Sequence, residues 1–234
     1  MYYFNYFAVH NSDKFMTEIS NYITNDYKAI DSQESILDVQ DFFIDSNFSH
    51  FPIIENEVYI GTIASHDIET FDNKKQVFDY RYSLESFFVR SSMIWLDVLE
   101  VFAKNNSNIV PVLDADNSYL GYYELNDILS FFHETPFLKE SGDIIIVKKR
   151  VADYSLSQIT QIVESNNGKL LGLFLSDSNL TDVQVTLKIN IGPLNDIIQT
   201  FRRYDYEIIS EHFEDNYINT LKDRSDYLDK YLNI

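Results

Sequence analysis

Two aspartates have the residue type and spacing best suited to binding a small polar molecule. Asp67 comes six residues after Gly61, and Asp127 comes six residues after Gly121, so the same pairing occurs twice, 60 positions apart. An ionised carboxylate is a strong hydrogen-bond acceptor and suits a ligand that presents two neighbouring hydroxyl groups. The alternative is that each aspartate only caps a helix by accepting hydrogen bonds from free backbone N–H groups.

The segments before the two glycines are also repeated. Phe51-Pro52-Ile53-Ile54 precedes Gly61, and Val110-Pro111-Val112-Leu113 precedes Gly121. Such duplication indicates two copies of one supersecondary unit that share a core. Each copy is predicted to form a strand-like leading segment, a helix, a strand, a turn, a strand and a second helix. The predicted bounds are a helix capped by Ser35, strands 51–55 and 58–64, a helix 93–104 with Leu96, Leu99 and Phe102 inward, and strands 109–113 and 119–123.

The composition excludes several classes of protein. The 234 residues include 37 acidic and 18 basic side chains, for a net charge of −19, and there is no cysteine. An acidic surface repels phosphate backbones and anionic membranes, so we expect no nucleic acid or membrane partner. Disulfides, thiolate metal sites and cysteine nucleophiles are excluded. No apolar run approaches the roughly 18 residues that span a bilayer, and we predict a cytoplasmic protein.

Signatures of common enzymes are missing from the chain. It has no glycine-rich phosphate loop followed by lysine, no Gly-x-Ser-x-Gly motif and no histidine pair at metal-binding spacing. We therefore predict that the protein is not an enzyme and has neither catalytic residues nor a metal site.

The hydrophobic pattern changes after Gly142. It predicts strand 143–149, helix 155–165, strands 170–176 and 182–191, helix 193–203 and strand 206–212, which is the ferredoxin-like order. Residues 214–234 are predicted to form a polar helix that either docks on the domain or contacts a second subunit. Met16 opens a plausible alternative start, so residues 1–15 are expected to be an N-terminal extension.

The repeat resembles a tandem pair of CBS domains, called a Bateman module. Residues 50–54 with 61–68 carry the resemblance in the first copy, and residues 109–113 with 121–128 carry it in the second. Residues 143–213 look like an ACT-type domain, and the combination is similar to acetoin-utilisation accessory proteins of the CBS type. The resemblance implies an α+β fold, with a CBS pair at 16–135 (repeats about 16–75 and 76–135), a βαββαβ ACT-like domain at 143–213 and a C-terminal helix at 214–234.

The resemblance also implies a ligand. In the CBS family a cleft between the repeats binds the adenosine part of a nucleotide. Backbone groups near the strand proline contact the adenine edge, and the aspartate accepts hydrogen bonds from the ribose hydroxyls. The residues implied for adenosine binding are Phe51, Pro52, Asp67, Val110, Pro111, Tyr123 and Asp127. The candidate ligands are AMP, ADP, ATP and S-adenosylmethionine.

The phosphate-binding position departs from the family pattern. CBS proteins usually have serine or threonine three residues after the glycine, whereas this chain has Ala64 and Glu124. Alanine offers no donor and glutamate repels phosphate. Ser65 is one residue further on and faces the other side of a strand. The departure leaves two functions open: an adenosine-type sensor without the usual phosphate contact, or a ligand-free interaction scaffold with vestigial clefts.

The second domain is expected to mediate contacts between subunits. Ser155 stands where ligand-binding ACT domains have the glycine that lets the backbone approach an amino acid. Pairing of edge strands or helices is therefore favoured over amino-acid binding. A regulatory homodimer that signals through dimer or partner surfaces is the predicted assembly.

Overall fold

The computed structural model describes residues 19–190 and 192–210. The chain divides into two compact units, residues 1–132 (unit 1) and 133–234 (unit 2). Within the described ranges, no helix has both the length and the apolar character needed to cross a bilayer. The predictions of an extension at 1–15 and a helix at 214–234 fall outside the described residues.

The two repeats of unit 1 have the same order of elements. The first contains β1 Ile30–Asp31, α1 Ile36–Asp45, β2 His50–Glu55, β3 Val58–Ala64 and α2 Ser65–Ile68. The second contains β4 Val89–Arg90, α3 Trp95–Asn105, β5 Ile109–Leu113, β6 Tyr119–Glu124 and α4 Leu125–His133. A 3₁₀ helix, Val77–Ser83, lies between them. Each repeat forms a three-stranded sheet, ordered β1-β2-β3 and β4-β5-β6, in which the first pair is parallel and the second antiparallel.

Local sequence explains several of these boundaries. Ser35 caps α1, because its Oγ accepts a hydrogen bond from the Asp38 N–H at 3.1 Å. Asn56 and Glu57 both have positive φ, at 50° and 67°, which lets them form the two-residue turn between β2 and β3. The helix prediction was less accurate for α3, where Leu96 is 55% exposed and Val98 is buried instead.

The described residues of unit 1 form two hydrophobic cores, and strands β5 and β6 contribute to both. Adjacent residues of a strand point to opposite faces, so Tyr122 packs in the first core and Tyr123 in the second. The Tyr122 ring centroid lies 5.5 Å from that of Phe51 in the first repeat. Ile19 packs in the second core although it precedes the first repeat in sequence. Segments from both halves of the sequence therefore build each core.

Unit 2 has the predicted ferredoxin-like fold. A short helix, α5 Pro136–Lys139, precedes β7 Asp143–Arg150, α6 Leu156–Ser165, β8 Lys169–Ser178, β9 Asp182–Asn190, α7 Leu194–Arg203 and β10 Glu207–Ile208. The sheet order is β10-β7-β9-β8 with antiparallel neighbours. Residues of both long helices pack with β7 and β9 in one core, including Ile145, Ile159, Leu187 and Phe201. Of the predicted final strand at 206–212, only Glu207–Ile208 is strand among the described residues 206–210, and residues 211–212 lie outside the described ranges.

Candidate functional site

Equivalent residues of the two repeats meet each other inside unit 1. Ser49 and Asn108 lie 59 positions apart, and Asn108 Oδ1 accepts hydrogen bonds from the Ser49 backbone N at 2.8 Å and from Ser49 Oγ at 3.0 Å. In return the Asn108 backbone N donates to Ser49 Oγ at 3.0 Å. Val58 pairs with Ser118, its counterpart 60 positions later. Reciprocal contacts between equivalent residues indicate two-fold symmetry. Here the symmetry is approximate and relates the two repeats of one chain.

In each repeat, the segment before the first strand forms backbone hydrogen bonds with the other repeat. Thr24, ahead of β1, exchanges backbone hydrogen bonds of 3.0 and 2.9 Å with Tyr122 on β6. Glu85, ahead of β4, exchanges two bonds of 2.8 Å with Thr62 on β3. The hairpin of one repeat and the leading segment of the other therefore form two equivalent regions. We call them the first junction (Thr62, Asp67, Glu85) and the second junction (Thr24, Tyr122, Asp127).

The exchanged segments explain why both repeats carry a glycine. Gly61 has φ of 153°, and a Cβ there would lie 2.8 Å from Leu84 Cβ and 3.1 Å from the Glu85 carbonyl oxygen. Gly121 has φ of 145°, and a Cβ there would lie 2.9 Å from Ile23 Cγ2 and overlap the Thr24 carbonyl oxygen. Close approach of two backbones together with positive φ requires glycine. The repeated glycine is thus explained by packing without reference to a ligand.

The two aspartates occupy equivalent positions, each the third residue of a helix. Asp67 lies in α2, whose N-cap, Ala64, makes no side-chain capping bond. Within the described residues, no backbone N–H donates to the Asp67 carboxylate, whose Oδ1 lies 3.4 Å from His66 Nε2. Asp127 lies in the first turn of α4. Because neither aspartate is at an N-cap and both are partly exposed, Asp67 and Asp127 remain open to a ligand.

The first junction contains a histidine that sequence reasoning did not assign to the site. His50 is 6% exposed, with Nε2 3.7 Å from Glu85 Oε1 and Nδ1 2.9 Å from Ser49 Oγ. Burial lowers the pKa of His50 most strongly, the carboxylate of Glu85 opposes this, and His66 reinforces it. His50 and Glu85 are far apart in sequence, and only the exchanged segment brings them together. The first junction therefore combines two imidazoles with two carboxylates.

The second junction has no imidazole at the corresponding places. Ile109 stands where the first repeat has His50, and Thr24 stands where it has Glu85. Glu124 ends β6 and is half-buried. Burial raises the pKa of the Glu124 carboxyl, and the charges of Asp127 and Asp26 raise it further. The charges that act on Glu124 among the described residues are therefore both those of carboxylates.

The other predicted contact residues lie on buried strand positions. Phe51, Val110 and Tyr123 have no exposed surface, and Pro52 and Pro111 are buried beside them. Because the whole residues are buried, the backbone atoms predicted to meet a ligand are covered as well as the side chains. The prediction for the side chain of Tyr123 is corrected, because its ring is enclosed in the second core and forms no wall of an open cleft. Ala64 is fully buried, which leaves no room for a donor at that position.

Two equivalent depressions flank the Ser49–Asn108 contact. The first has a volume of about 550 Å³ and the second about 520 Å³. Ser65 lines the first and Leu125 the second, and neither depression includes the adjacent aspartate. Ser65 thus faces the depression between α1 and α2, whereas Asp67 lines neither depression.

In unit 2, the loop where ACT-type domains bind amino acids holds charges that already have partners. Ser155 is the N-cap of α6, and its Oγ accepts a hydrogen bond from the Gln158 N–H at 3.3 Å. Lys149 Nζ donates to the Tyr204 carbonyl at 2.7 Å, and Arg150 pairs with Asp153 at 2.5 Å. Arg150 is therefore paired with a carboxylate, whereas Lys149 is bound to a neutral carbonyl and keeps its charge.

Comparison with known proteins agrees with the duplicated topology. Residues 19–71 match the family model of the CBS domain. The chain contains a CBS domain. The second repeat has the same element order and the same sheet order as the matched one, so unit 1 is a CBS pair. CBS-pair domains are regulatory modules, and the absence of enzyme activity in this protein stays a prediction.

The full-length comparisons find remote relatives. A protein of Methanocaldococcus jannaschii is 23% identical over 150 residues, which cover 64% of this chain and 56% of the relative, so the match spans about half of that protein. A CBS domain pair/ACT domain protein from Thermotoga maritima is 19% identical with a TM-score of 0.45 and covers 50% of this chain and 96% of its own.

Two solved structures contain nucleotides. CBSX2 in complex with AMP is 16% identical with a TM-score of 0.41, covering 49% of this chain and 94% of its own. The CBS domain of a bacterial CNNM/CorC family Mg²⁺ transporter in complex with ATP is 13% identical with a TM-score of 0.40, covering 51% and 95%. These scores are below 0.5, so the fold assignment rests on strand order and the family match. The similarity to acetoin-utilisation accessory proteins stays a prediction.

Proposed function

We propose that the CBS pair is a regulatory module that binds an adenosine-type ligand at the junctions between its repeats. The observation that carries this proposal is the equivalent placement of Asp67 and Asp127. Each carboxylate is partly exposed, is not the helix N-cap and follows by five residues the strand position that pairs with the leading segment of the other repeat. Such a carboxylate suits the ribose diol.

The proposed mechanism is a shift between two arrangements of the repeats. A ligand at either junction would contact the hairpin of one repeat and the leading segment of the other. Binding would favour the arrangement that fits the ligand, and a surface of the pair would report it to a partner. A two-fold homodimer is the simplest assembly that presents such a surface.

Calorimetry of the full chain with adenosine, AMP, ADP, ATP and S-adenosylmethionine tests this function. We expect adenosine to bind and phosphate to add no affinity, because Ala64 and Glu124 supply no phosphate donor. Since a hydrogen bond to a charged group contributes about 1.5–3 kcal/mol, Asp67→Ala and Asp127→Ala should each weaken their own junction at least tenfold. Asp41→Ala, at an exposed position on α1, is the matched control. Absence of heat with every ligand at millimolar concentration would rule out the sensor.

A ligand-free scaffold is the second candidate, favoured by the side chains at the phosphate position. Ala64 is buried and Glu124 is acidic, so neither junction accommodates phosphate in the family's manner. Unit 2 would then supply contacts through β8, a ten-residue edge strand on which Phe174 is 50% exposed. Light scattering tests the predicted homodimer, because both the adenosine sensor and the ligand-free scaffold are proposed to act as one. A chain that stays monomeric at high micromolar concentration would exclude it.

A further inference from the structure

The face of the unit 2 sheet that lies opposite its two long helices carries a row of mainly apolar residues. Ile209, directly after β10, donates its backbone N–H to the Ile146 carbonyl at 2.8 Å. Ile146 pairs with Thr186 on β9, and Thr186 pairs with Phe174 on β8. Side chains alternate along a strand, so Ile146 points away from the core that contains its neighbour Val147. We call Ile146, Phe174, Thr186 and Ile209 the open-face row.

Both ends of the open-face row are exposed. Ile209 is 40% exposed and Phe174 is 50% exposed. Ile144, on the same face two residues before Ile146, is 47% exposed. Apolar side chains that extend across a sheet in this way usually mark a surface that another segment or subunit covers.

A short helix already covers the adjacent part of this face. Gly172 pairs with Lys188, and a Cβ on Gly172 would lie 2.7 Å from Cδ2 of Phe137 in α5. The ring centroids of Phe137 and Phe174 are 5.9 Å apart. Lys188 is 7% exposed, and its Nζ donates to the Leu138 carbonyl at 3.5 Å. The face therefore accepts a helix, but α5 has only four residues and leaves both ends of the open-face row exposed.

The described part of the chain ends beside the open-face row. Ile209 belongs to the row, and Ser210 Oγ accepts a hydrogen bond from the Ile146 N–H at 3.1 Å. Residues 211–234 follow in the sequence and lie outside the described ranges. A segment joined directly to a surface meets it at a high effective concentration, which favours this segment over a second copy of the chain.

The composition and spacing of residues 211–234 suit an apolar face that contains a buried lysine. One side of the helix predicted there is apolar, with Tyr217, Leu221, Leu228 and Leu232. In a helix, Tyr217 to Leu232 would extend about 22 Å, which is within the roughly 30 Å of a nine-residue strand such as β9. The segment has six acidic and three basic side chains. Among the described residues, no carboxylate lies within ion-pair distance of Lys188.

We propose that residues 211–234 dock as an amphipathic helix on the open-face row of their own chain. Leu221 and Leu228 pack against Ile146 and Phe174, and the acidic side of the helix faces solvent. The sheet of unit 2 is then covered on both faces, which buries the apolar side chains of each. The backbone of the β8 edge stays available to a second subunit, whereas the side chain of Phe174 is used within the chain.

The absence of cysteine allows a labelling test in the full chain. Ile144→Cys and Phe174→Cys each place a single thiol on the open face, and the rate of its alkylation reports whether the face is covered. Leu228→Asp places a charge in the proposed contact and should raise both rates severalfold, because an unpaired charge is costly to bury. The matched control is Asn219→Asp, which adds the same charge to the opposite side of the predicted helix. It should leave both rates unchanged.

A third thiol position distinguishes docking from a general loosening of unit 2. Glu164→Cys lies at an exposed position on α6, away from the open face, and its labelling rate should be the same with and without Leu228→Asp. Unchanged rates at Ile144→Cys and Phe174→Cys, or an equal rise at Glu164→Cys, would overturn the docking. Labelling of the open face that slows as protein concentration rises would assign the cover to a second copy and overturn the intramolecular contact. Faster labelling of the open face alone, independent of protein concentration, supports it.

Discussion

The two repeats of the CBS pair make the same backbone crossings and place different side chains beside them. At the first junction, His50 and His66 accompany Asp67 and Glu85. At the second, Ile109 and Thr24 replace His50 and Glu85, and Glu124 adds a carboxylate near Asp127. The crossings depend on backbone hydrogen bonds and on two glycines, which both repeats keep. The side chains next to them do not hold the crossing together.

The difference separates evidence for the fold from evidence for the ligand. Gly61 and Gly121 are required by neighbouring backbone atoms, so their repetition reports the duplicated fold. The positions at 64 and 124, or at 50 and 109, are free of that constraint and can set different chemistry at each junction. Matched substitutions at equivalent positions of the two repeats can test which positions the fold requires and which positions differ in their effect between the junctions.

The largest difference in the free energy of unfolding is expected between matched substitutions in the two cores. Phe51 and Val110 occupy equivalent, fully buried positions. Phe51→Ala should lower the free energy of unfolding by about 3–5 kcal/mol, whereas Val110→Ala, which removes two methyl groups, should cost about 2 kcal/mol. Urea unfolding monitored by fluorescence of Trp95, the only tryptophan in the chain, reports on unit 1. An unshifted Trp95 transition in Phe51→Ala would mean that the repeats unfold independently.

The contact between equivalent residues should be nearly as important. Asn108→Ala removes the acceptor for two groups of Ser49 and the donor to the Asn47 carbonyl. We expect a loss of about 1–3 kcal/mol in the free energy of unfolding, because partly buried groups are left unpaired. Ser49→Ala should cost less, since the Ser49 backbone N still reaches Asn108. In the double variant the costs should not add; additive costs would show that the two residues do not interact.

A smaller contrast concerns two equivalent tyrosines. The Tyr59 hydroxyl is hydrogen-bonded to Thr62 Oγ1 and to the Phe87 carbonyl, each at 2.7 Å, whereas the buried Tyr119 hydroxyl has no hydrogen-bond partner among the residues that the structure describes. Tyr59→Phe should therefore cost about 1 kcal/mol, while Tyr119→Phe should be neutral or stabilising. The same urea measurement compares them. A larger cost for Tyr119→Phe would show that its hydroxyl is paired in solution.

The smallest expected effect is a pH dependence that belongs to the first repeat alone. Burial lowers the pKa of His50 below its ordinary 6.5 despite Glu85, so the folded state binds a proton less readily than the unfolded chain. The stability contributed by His50 is full above pH 6.5 and declines as the pH falls toward the lowered pKa. His50→Ile, which introduces the residue of the second repeat, should flatten this decline.

The control for this experiment is His133→Gln, at a side chain that is 69% exposed. It should leave the pH dependence of unfolding as it is in the parent protein. The same slope in His50→Ile and the parent protein would assign the dependence to other groups. Those that act on His50 are Glu85, His66 and Asp67.

Local patterns were enough to predict most elements. The strands at 58–64 and 109–113 were predicted with their observed bounds, because alternating or continuous apolar residues end at turn residues. The cap at Ser35 and the βαββαβ order of unit 2 were also confirmed. Leu96 was misassigned because an apolar residue at a helix start fits the periodic stripe without being buried.

The candidate site was predictable only in part. Asp67 and Asp127 could be identified because they repeat in sequence, and the loss of the phosphate donor is evident from Ala64 and Glu124. The approach of His50 to Glu85 could not be predicted, since it depends on the segment exchanged between repeats. Tyr123 was expected near a cleft because sequence does not show which face of the strand the second core covers.

The sequence by itself determined two copies of one unit, the ferredoxin-like order after them and an acidic protein without cysteine. These properties follow from hydrophobic period, turn residues and composition, which act over short distances along the chain. Only the tertiary structure decided that Thr24 and Glu85 cross to the opposite repeat, that Gly61 and Gly121 are needed to admit them, and that the two junctions carry different charges. Those outcomes depend on contacts between segments distant in sequence, where packing and backbone hydrogen bonds select the neighbours.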